Sequence, residues 1–294
     1  MDKKIKVAPF WGCMIPLKYP QMELSVRKTA DALGVELVDL DGFTCCPDPI
    51  YFKARDKVQW LTMAARNLCV AEEEGLDVIT MCSGCTSTLQ EARFLLAEDE
   101  ALKDKVNERL SRVNREYKGK VNVKHIVAMF RDDVGAERVA KSVKRPLKNL
   151  KVAIHYGCHL LKPSQIMHMD DADYPNLLEN LVQALGATPL THTEKLLCCG
   201  KGCLDDTMPL KMTYEIFASM EEVGADVMGL ICPTCFNSFD LGQMTIARKM
   251  DRVFDMPVIY YCQLLGLAQG MSPEDVGLHT HRVKADKVME IIGS

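Results

Sequence analysis

Short apolar runs alternate with longer stretches of helical periodicity along the chain. A run of four to eight apolar residues predicts a buried strand, whereas apolar residues spaced three and four apart predict an amphipathic helix. In the first half, strands are predicted at residues 5–10, 35–40, 77–81 and 121–127, and helices at 21–33, 53–74, 86–117 and 128–143. Strands that alternate with helices in this way indicate an α/β fold with a right-handed parallel sheet.

The pattern of the first half is repeated from residue 151 onwards. The segment KVAIHYGC, ending at Cys158, matches KVAPFWGC, ending at Cys13, and GADV before Cys232 matches GLDV before Cys82. Self-similarity over this length indicates a duplicated domain. We therefore predict two tandem Rossmann-like parallel-sheet domains related by pseudo-twofold symmetry, residues 1–147 and 148–294, joined through a basic segment that contains Pro146.

Composition narrows the class of protein. The 294 residues are 48% apolar and carry a formal net charge of -4, so a sizeable core is available and no basic excess indicates nucleic-acid binding. No signal-peptide pattern opens the chain and no apolar run is long enough to span a bilayer, so we expect a cytoplasmic protein. In a reducing compartment, an odd total of thirteen cysteines indicates ligands or redox groups rather than disulfides.

Ten of the thirteen cysteines fall into one pattern that occurs twice. The two copies read C-x31-CC-x35-C-x2-C and C-x39-CC-x32-C-x2-C. Their members are Cys13, Cys45, Cys46, Cys82 and Cys85 in the first copy, and Cys158, Cys198, Cys199, Cys232 and Cys235 in the second. Each cysteine or cysteine pair follows a predicted strand, and ligands of open parallel sheets collect outside the carboxyl ends of the strands. Five thiols should therefore converge at one edge of each domain.

The number of thiols limits what they can bind. A structural zinc ion and a cubane iron–sulfur cluster each take four ligands, so both leave one cysteine per half unexplained. Spacing alone favours an iron–sulfur cluster and leaves zinc and a thiol–disulfide relay open. Neither a G-x-G-x-x-G motif nor a P-loop is present, which gives no support for a nucleotide or flavin. Electrons would then have to come from another subunit.

The doubled motif resembles the CCG, or cysteine-rich, domain family, and two copies in a chain of this size resemble the B subunits of archaeal heterodisulfide reductases. The resemblance implies two non-cubane [4Fe–4S] clusters, one bound by each set of five cysteines. Two departures from the family pattern stand out. Pro47 follows the first cysteine pair where the family has glycine, and the second copy has only 32 residues between its cysteine pair and its C-x2-C.

The resemblance also implies a reaction and partners. The family's reaction in methanogenesis is reduction of the mixed disulfide of coenzyme M and coenzyme B to two thiols, and a symmetric split between the two clusters is one hypothesis for it. The expected partners are the flavin-containing subunit and the small ferredoxin-like subunit of heterodisulfide reductase, with a hydrogenase or formate dehydrogenase module upstream. An electron-transfer subunit of a quinone-linked or 2-hydroxy-acid-linked oxidoreductase is the alternative, and a zinc-stabilised scaffold is the third class.

Both halves of such a disulfide are anionic, so basic side chains should line the cleft. The candidates are Lys18, Lys162, His159 and Lys201, which lie close in sequence to cysteines of the motif. His155, inside a predicted strand, is predicted to be a core histidine with its hydrogen bonds satisfied. Of the remaining cysteines, Cys69 and Cys262 are predicted to be structural, and Cys203 to be a thiol near the second site.

Overall fold

The computed structural model describes residues 4–205 and 207–293, and within them the chain forms two four-stranded parallel sheets. The first half contributes β1 Ile5–Phe10, β2 Val35–Leu37, β3 Val78–Thr80 and β4 Val123–His125. The second half contributes β5 Lys151–His155, β6 Thr188–Leu190, β7 Val227–Leu230 and β8 Val258–Tyr260. The strand orders β2-β1-β3-β4 and β6-β5-β7-β8 are the same, which confirms the predicted pair of Rossmann-like sheets.

The two central strands of each sheet carry the core. Val7, Ala8 and Phe10 of β1 are buried, and Ala8 pairs with Val78 of β3. In the second sheet, Val152 of β5 pairs with Val227 of β7, and both side chains are buried. Strands covered by helices on both faces are expected to be apolar along their length rather than alternating, and most buried positions of these strands are apolar.

The helices of the first half confirm the predicted helical regions and subdivide three of them. They are α1 Met14–Lys18, α2 Pro20–Ala32, α3 Tyr51–Arg55, α4 Lys57–Glu74, α5 Ser83–Glu98, α6 Glu100–Leu110, α7 Ile126–Met129 and α8 Ala136–Ser142. The predicted helices 53–74 and 86–117 are interrupted at Asp56 and Asp99, which are extended and accept hydrogen bonds from the backbone N–H groups of Gln59 and Leu102. Each aspartate caps a new helix, a role for which its short side chain is suited. A π-helical turn at Phe130–Gly135 separates α7 from α8.

The second half has fewer helices between the corresponding strands. They are α9 Ser164–Met167, α10 Leu177–Ala184, α11 Met208–Glu222, α12 Pro233–Met250, α13 Tyr261–Ala268 and α14 Asp286–Gly293. Where the first half has α3 and α4 between its cysteine pair and its C-x2-C motif, the described part of the second half has α11 alone. The shorter spacing of the second motif is therefore absorbed by the loss of one short helix.

The two halves are joined by reciprocal contacts. Nε2 of His125, at the end of β4, lies 3.2 Å from the carbonyl oxygen of Ile231, and Tyr260, at the end of β8, donates from its hydroxyl to the carbonyl oxygen of Met81 over 2.7 Å. Helix α13 packs against α2, and α8 packs against α10, so a helix that follows the last strand of each half contacts the other half. The proposed boundary at 147/148 lies between the strands of the two sheets. Among the described residues, no helix combines the length and apolar character required to cross a bilayer.

Candidate functional site

The ten cysteines of the repeated motif lie at the carboxyl edges of the two sheets. Cys82 and Cys232 occupy the N-cap positions of α5 and α12, directly after β3 and β7. In the first half, thiol contacts run from Cys13 through Cys45, Cys46 and Cys85 to Cys82. In the second half they run from Cys158 through Cys198, Cys199 and Cys235 to Cys232, and the first pair has its sulfurs 3.8 Å apart. Folding therefore gathers both sets as expected from the sequence.

Each set of five thiols borders its own cavity. The first-half cavity has a volume of about 160 Å³ and the second-half cavity about 120 Å³. All five cysteines of the corresponding half line each cavity. Across residues 4–205 and 207–293, no group of three or more His, Cys, Asp or Glu side chains is arranged to hold a single metal ion. In each half the five thiols surround a cavity.

Two glycines keep space open beside these thiols. Gly12 and Gly157 stand one residue before Cys13 and Cys158, with φ of 67° and 71°. A Cβ at Gly12 would lie 2.9 Å from the sulfur of Cys85, and one at Gly157 would lie 3.3 Å from the sulfur of Cys235. A side chain at either position would therefore press on a candidate ligand and take up a strained backbone conformation. The donor set and the space around it fit an iron–sulfur cluster.

The two thiol sets meet across the interface between the halves. The sulfurs of Cys82 and Cys232 are 3.7 Å apart, and both residues are buried. The C-x2-C motif of each half also borders the cavity of the other half, because Ser83 and Gly84 line the second-half cavity while Pro233 and Thr234 line the first-half cavity. The two sites are therefore neighbours, and each is completed by residues of the opposite half.

Contacts between the thiols shift their proton affinities in opposite directions. Hydrogen bonding with Cys45 lowers the pKa of Cys46, and hydrogen bonding with Cys158 lowers the pKa of Cys198. Hydrogen bonding with Cys45 raises the pKa of Cys13, hydrogen bonding with Cys198 raises the pKa of Cys158, and burial raises both further. In each cavity, contact between neighbouring thiols therefore favours the thiolate form of one of them, and the thiolate is the form that binds metal.

The residue after each cysteine pair differs between the halves. Gly200 has φ of 76°, and a Cβ there would lie 2.6 Å from Cα of Pro209, so only glycine fits. The backbone N–H of Gly200 donates to the sulfur of Cys198 over 3.4 Å. Pro47 has a ring that enforces a negative φ and has no N–H, while its carbonyl oxygen accepts from the hydroxyl of Thr88 over 3.1 Å. The departure from the family pattern thus accompanies a different loop conformation and removes one hydrogen bond to sulfur.

The four predicted substrate residues separate into two pairs. His159 and Lys201 line the second-half cavity. Lys18 lies outside the lining of both cavities and donates from Nζ to the side-chain oxygen of Asn237 over 3.1 Å. Lys162 is exposed, precedes the cis Pro163 and also lies outside both linings. A role in substrate binding stays a prediction for all four residues.

Sequence reasoning missed residues that the tertiary structure brings to the cavities. Asp48 and Pro49 line both of them, and the hydroxyl of Tyr51 donates to the carbonyl oxygen of Gly202 across the halves over 2.7 Å. Ser83 and Thr234 were also missed, although both lie inside a C-x2-C motif. That position between two candidate ligands was the signal that could have identified them.

The prediction for His155 is confirmed for its burial and wrong for its hydrogen bonding. The side chain is buried, as expected, but neither ring nitrogen has a hydrogen-bond partner within the described protein. The ring packs edge-on against Phe239 with centroids 4.6 Å apart, and burial lowers its pKa to about 4. The corresponding residue of the first half is Phe10, so the second half has a polar ring at an aromatic core position.

The three remaining cysteines lie outside the two thiol sets. Cys69 and Cys262 are buried among apolar residues of the core, and burial raises the pKa of the Cys69 thiol to about 12. Cys203 is exposed and does not line either cavity. Cys203 was predicted to be a thiol near the second site, but it is not one of the residues that line the second-half cavity.

Comparison with known proteins gives consistent results. The family model for the cysteine-rich CCG domain matches residues 7–90 and 152–240. The B subunit of the ferredoxin/F420H2-dependent CoB-CoM heterodisulfide reductase from Methanosarcina acetivorans is 36% identical, over 95% of this chain and 94% of that protein. The membrane anchor subunit of the 8-methylmenaquinol:fumarate reductase from Wolinella succinogenes is 32% identical, over 98% of this chain and all of that protein.

A solved structure is similar over almost the whole chain. It is a hypothetical protein from Helicobacter pylori, with a TM-score of 0.76, 17% sequence identity and coverage of 96% of this chain. The chain spans 53% of that protein's length. At this identity the similarity bears on the fold alone.

Proposed function

Because the chain belongs to the CCG cysteine-rich domain family, we propose that it is the catalytic subunit of a heterodisulfide reductase. Its substrate would be the mixed disulfide of coenzyme M and coenzyme B, as in methanogenesis. Its cofactors would be two non-cubane [4Fe–4S] clusters, each held by the five cysteines of one half. The observation that carries the proposal is the pair of five-thiol cavities that meet where Cys82 and Cys232 are 3.7 Å apart.

The reaction consumes two electrons and two protons and converts one disulfide into two thiols. The clusters, when bound, supply the electrons at the two neighbouring sites. The chain itself provides the binding groups, because Lys201 and His159 line the second-half cavity and offer hydrogen-bond donors to an anionic substrate. Pro49 and Ile50 of the first half also line the same cavity. A substrate between the halves would thus contact residues of both.

The proposal includes a multisubunit complex. The Methanosarcina relative is named as one subunit of a reductase, and this chain has no flavin or ferredoxin-type motif of its own. We propose a flavin-containing subunit, together with a small ferredoxin-like subunit, as partners that are fed by a hydrogenase or formate dehydrogenase module. The cytoplasm is the proposed location.

A second function is favoured by one specific observation. The Wolinella relative, which is similar over its full length, is named as a subunit of a menaquinol-linked fumarate reductase. The alternative is therefore that this chain is an iron–sulfur electron-transfer subunit of a quinone-linked oxidoreductase. Both functions use the same ten thiols and differ in the molecule that exchanges electrons with them.

Anaerobic purification and assay distinguish these functions. The proposal predicts about eight iron and eight sulfide per chain, four of each for every cluster. With a reduced dye as electron donor, we expect reduction of the coenzyme M–coenzyme B disulfide and no exchange with a menaquinone analogue. Activity with the quinone analogue alone would favour the alternative. Zinc in place of iron and sulfide would contradict both.

A further inference from the structure

The hydroxyl of Ser83 is a buried polar group without a partner. Ser83 lies between Cys82 and Cys85 at the first position of α5, and only 2% of the residue is exposed. Its Oγ forms no hydrogen bond with any protein atom of the described chain. Leaving a buried hydroxyl unpaired is energetically unfavourable, so such a group indicates an acceptor outside the protein.

The cavity beside Ser83 identifies where that acceptor would lie. Ser83 belongs to the first half but lines the second-half cavity, together with the five thiols of the second half. It does not line the cavity of its own half. Ser83 therefore borders the cavity in which a group held by the second-half thiols would lie, and its unpaired hydroxyl is a donor within that wall.

The first-half cavity has no equivalent donor among the described residues that line it. The residue that corresponds to Ser83 is Pro233, which lines the first-half cavity and carries neither a hydroxyl nor an N–H. Thr234 also lines the first-half cavity, but it lines both cavities and is partly exposed, so it is not a fully buried donor of one site. A dedicated, fully buried donor is thus present at one of the two sites.

A second, independent difference between the halves also gives the second-half site a hydrogen-bond donor that the first-half site lacks. The N–H of Gly200 donates to the sulfur of Cys198, whereas Pro47 at the corresponding position has no N–H to donate to Cys45. Hydrogen bonds to the sulfurs of an iron–sulfur cluster stabilise its more negative, reduced state and raise its reduction potential. Both differences therefore favour reduction at the second site.

We propose that Ser83 donates a hydrogen bond across the domain interface to a sulfur of the cluster in the second half, and thereby makes the two clusters unequal in reduction potential. The inference rests on the cluster assignment in the proposed function and not on the identity of the substrate. Ser83 is in this view a positioning and tuning residue, and the second-half cluster is the first of the two to be reduced.

A redox titration of the anaerobically purified, cluster-containing protein, followed by electron paramagnetic resonance, tests the proposal. In Ser83→Ala we expect one cluster to become about tenfold harder to reduce, about 59 mV for a one-electron couple, with the other cluster and the iron content unchanged. Ser83→Thr keeps a hydroxyl and should retain the wild-type potential. Pro233→Ser adds a donor at the corresponding position and should raise the potential of the other cluster.

The outcomes separate this inference from the proposed function. Two unchanged potentials in Ser83→Ala at full iron content, or equal shifts of both clusters, would overturn the inference while leaving disulfide reduction intact. If Ser83→Ala does not fold, Pro233→Ser takes its place. An unchanged reduction potential of the first-half cluster in Pro233→Ser would then overturn the inference. A shift of one cluster in a protein that does not reduce the disulfide would support the inference and contradict the proposed substrate. A protein that binds no iron would overturn both.

Discussion

The first-half and second-half cavities are built on the same framework but have different linings. In both, a strand leads through a left-handed glycine to a cysteine, a cysteine pair follows the next strand, and a C-x2-C motif opens a helix. Between these fixed points the halves differ at many corresponding positions, and four of them bear on the chemistry of the sites. The first half has Phe10, Pro47, Asp48 and Ser83, where the second half has His155, Gly200, Lys201 and Pro233.

These differences give the two cavities different chemistry. Because the C-x2-C motifs cross over, Ser83 of the first half lines the second-half cavity together with the cationic Lys201. The N–H of Gly200 donates to the sulfur of Cys198, one of the thiols of that cavity. The first-half cavity is bordered by Met14, Trp11 and Pro233. Asp48 borders both cavities, so its negative charge does not distinguish them. The ten thiols are thus the same in the two halves while the residues around them differ, and a symmetric framework holds two unequal sites.

The largest effect is expected from removing one ligand in each half. Cys199→Ala should lose the second-half cluster, leave about four iron per chain, and abolish activity, because one of the two neighbouring sites is then missing. Cys46→Ala should lose the other cluster with the same iron content. Iron analysis and paramagnetic resonance measure both results.

The buried Cys69→Ala variant provides the control, since Cys69 belongs to neither thiol set. It should keep about eight iron. Loss of all iron in either ligand variant would show that the two sites cannot form independently.

The next effect concerns His155, a buried histidine of the second half without a hydrogen-bond partner among the described residues. Burial lowers its folded-state pKa from the usual 6.5 to about 4, so the native state holds it neutral while the unfolded chain takes up a proton below pH 6.5. This contribution to stability is present above pH 6.5 and is lost as the pH falls towards 4. A shift of this size corresponds to about 3 kcal/mol.

His155→Phe, which copies Phe10, should remove that part of the pH dependence and stabilise the protein at pH 5 relative to wild type. Denaturant unfolding at pH 7 and pH 5 measures it. The same substitution at His281, another buried histidine with a pKa near 4, is the control. It shows how much of the change in unfolding free energy between pH 7 and pH 5 comes from His155. If the unfolding free energy changed equally between pH 7 and pH 5 in wild type and His155→Phe, the lowered pKa of His155 would be contradicted.

The smallest effect is expected at the glycines that precede Cys13 and Cys158. Gly12→Ala and Gly157→Ala both require alanine in the left-handed region, at roughly 1–2 kcal/mol each. Gly12→Ala should cost more and should reduce iron at the first site, because its Cβ would lie 2.9 Å from the sulfur of Cys85 rather than 3.3 Å from that of Cys235.

Gly75→Ala is the matched control for backbone strain. Its φ is 65°, and no described atom lies within 4 Å of the added Cβ. Denaturant unfolding and iron analysis of the three variants compare strain alone with strain plus a contact on sulfur. Equal losses in all three would show that the thiols tolerate the added methyl group.

The sequence by itself determined the repeated framework. Apolar runs predicted the buried strands because a strand covered on both faces must be apolar, and the repeated cysteine spacing predicted that five thiols of each half would gather at one sheet edge. These features depend on local pattern and on the parallel topology. The helix breaks at Asp56 and Asp99 were missed because a capping aspartate inside a periodic stretch resembles an ordinary surface residue.

Only the tertiary structure decided how the two halves meet. The contact between Cys82 and Cys232 joins residues 150 positions apart, and the reach of Ser83 into the opposite cavity depends on the packing of the halves. No periodicity encodes such contacts, because they arise when two separately formed surfaces come together. For the same reason the unpaired ring of His155 was not foreseen: the sequence places a histidine in the core, and only its packed neighbours determine whether its nitrogens find partners.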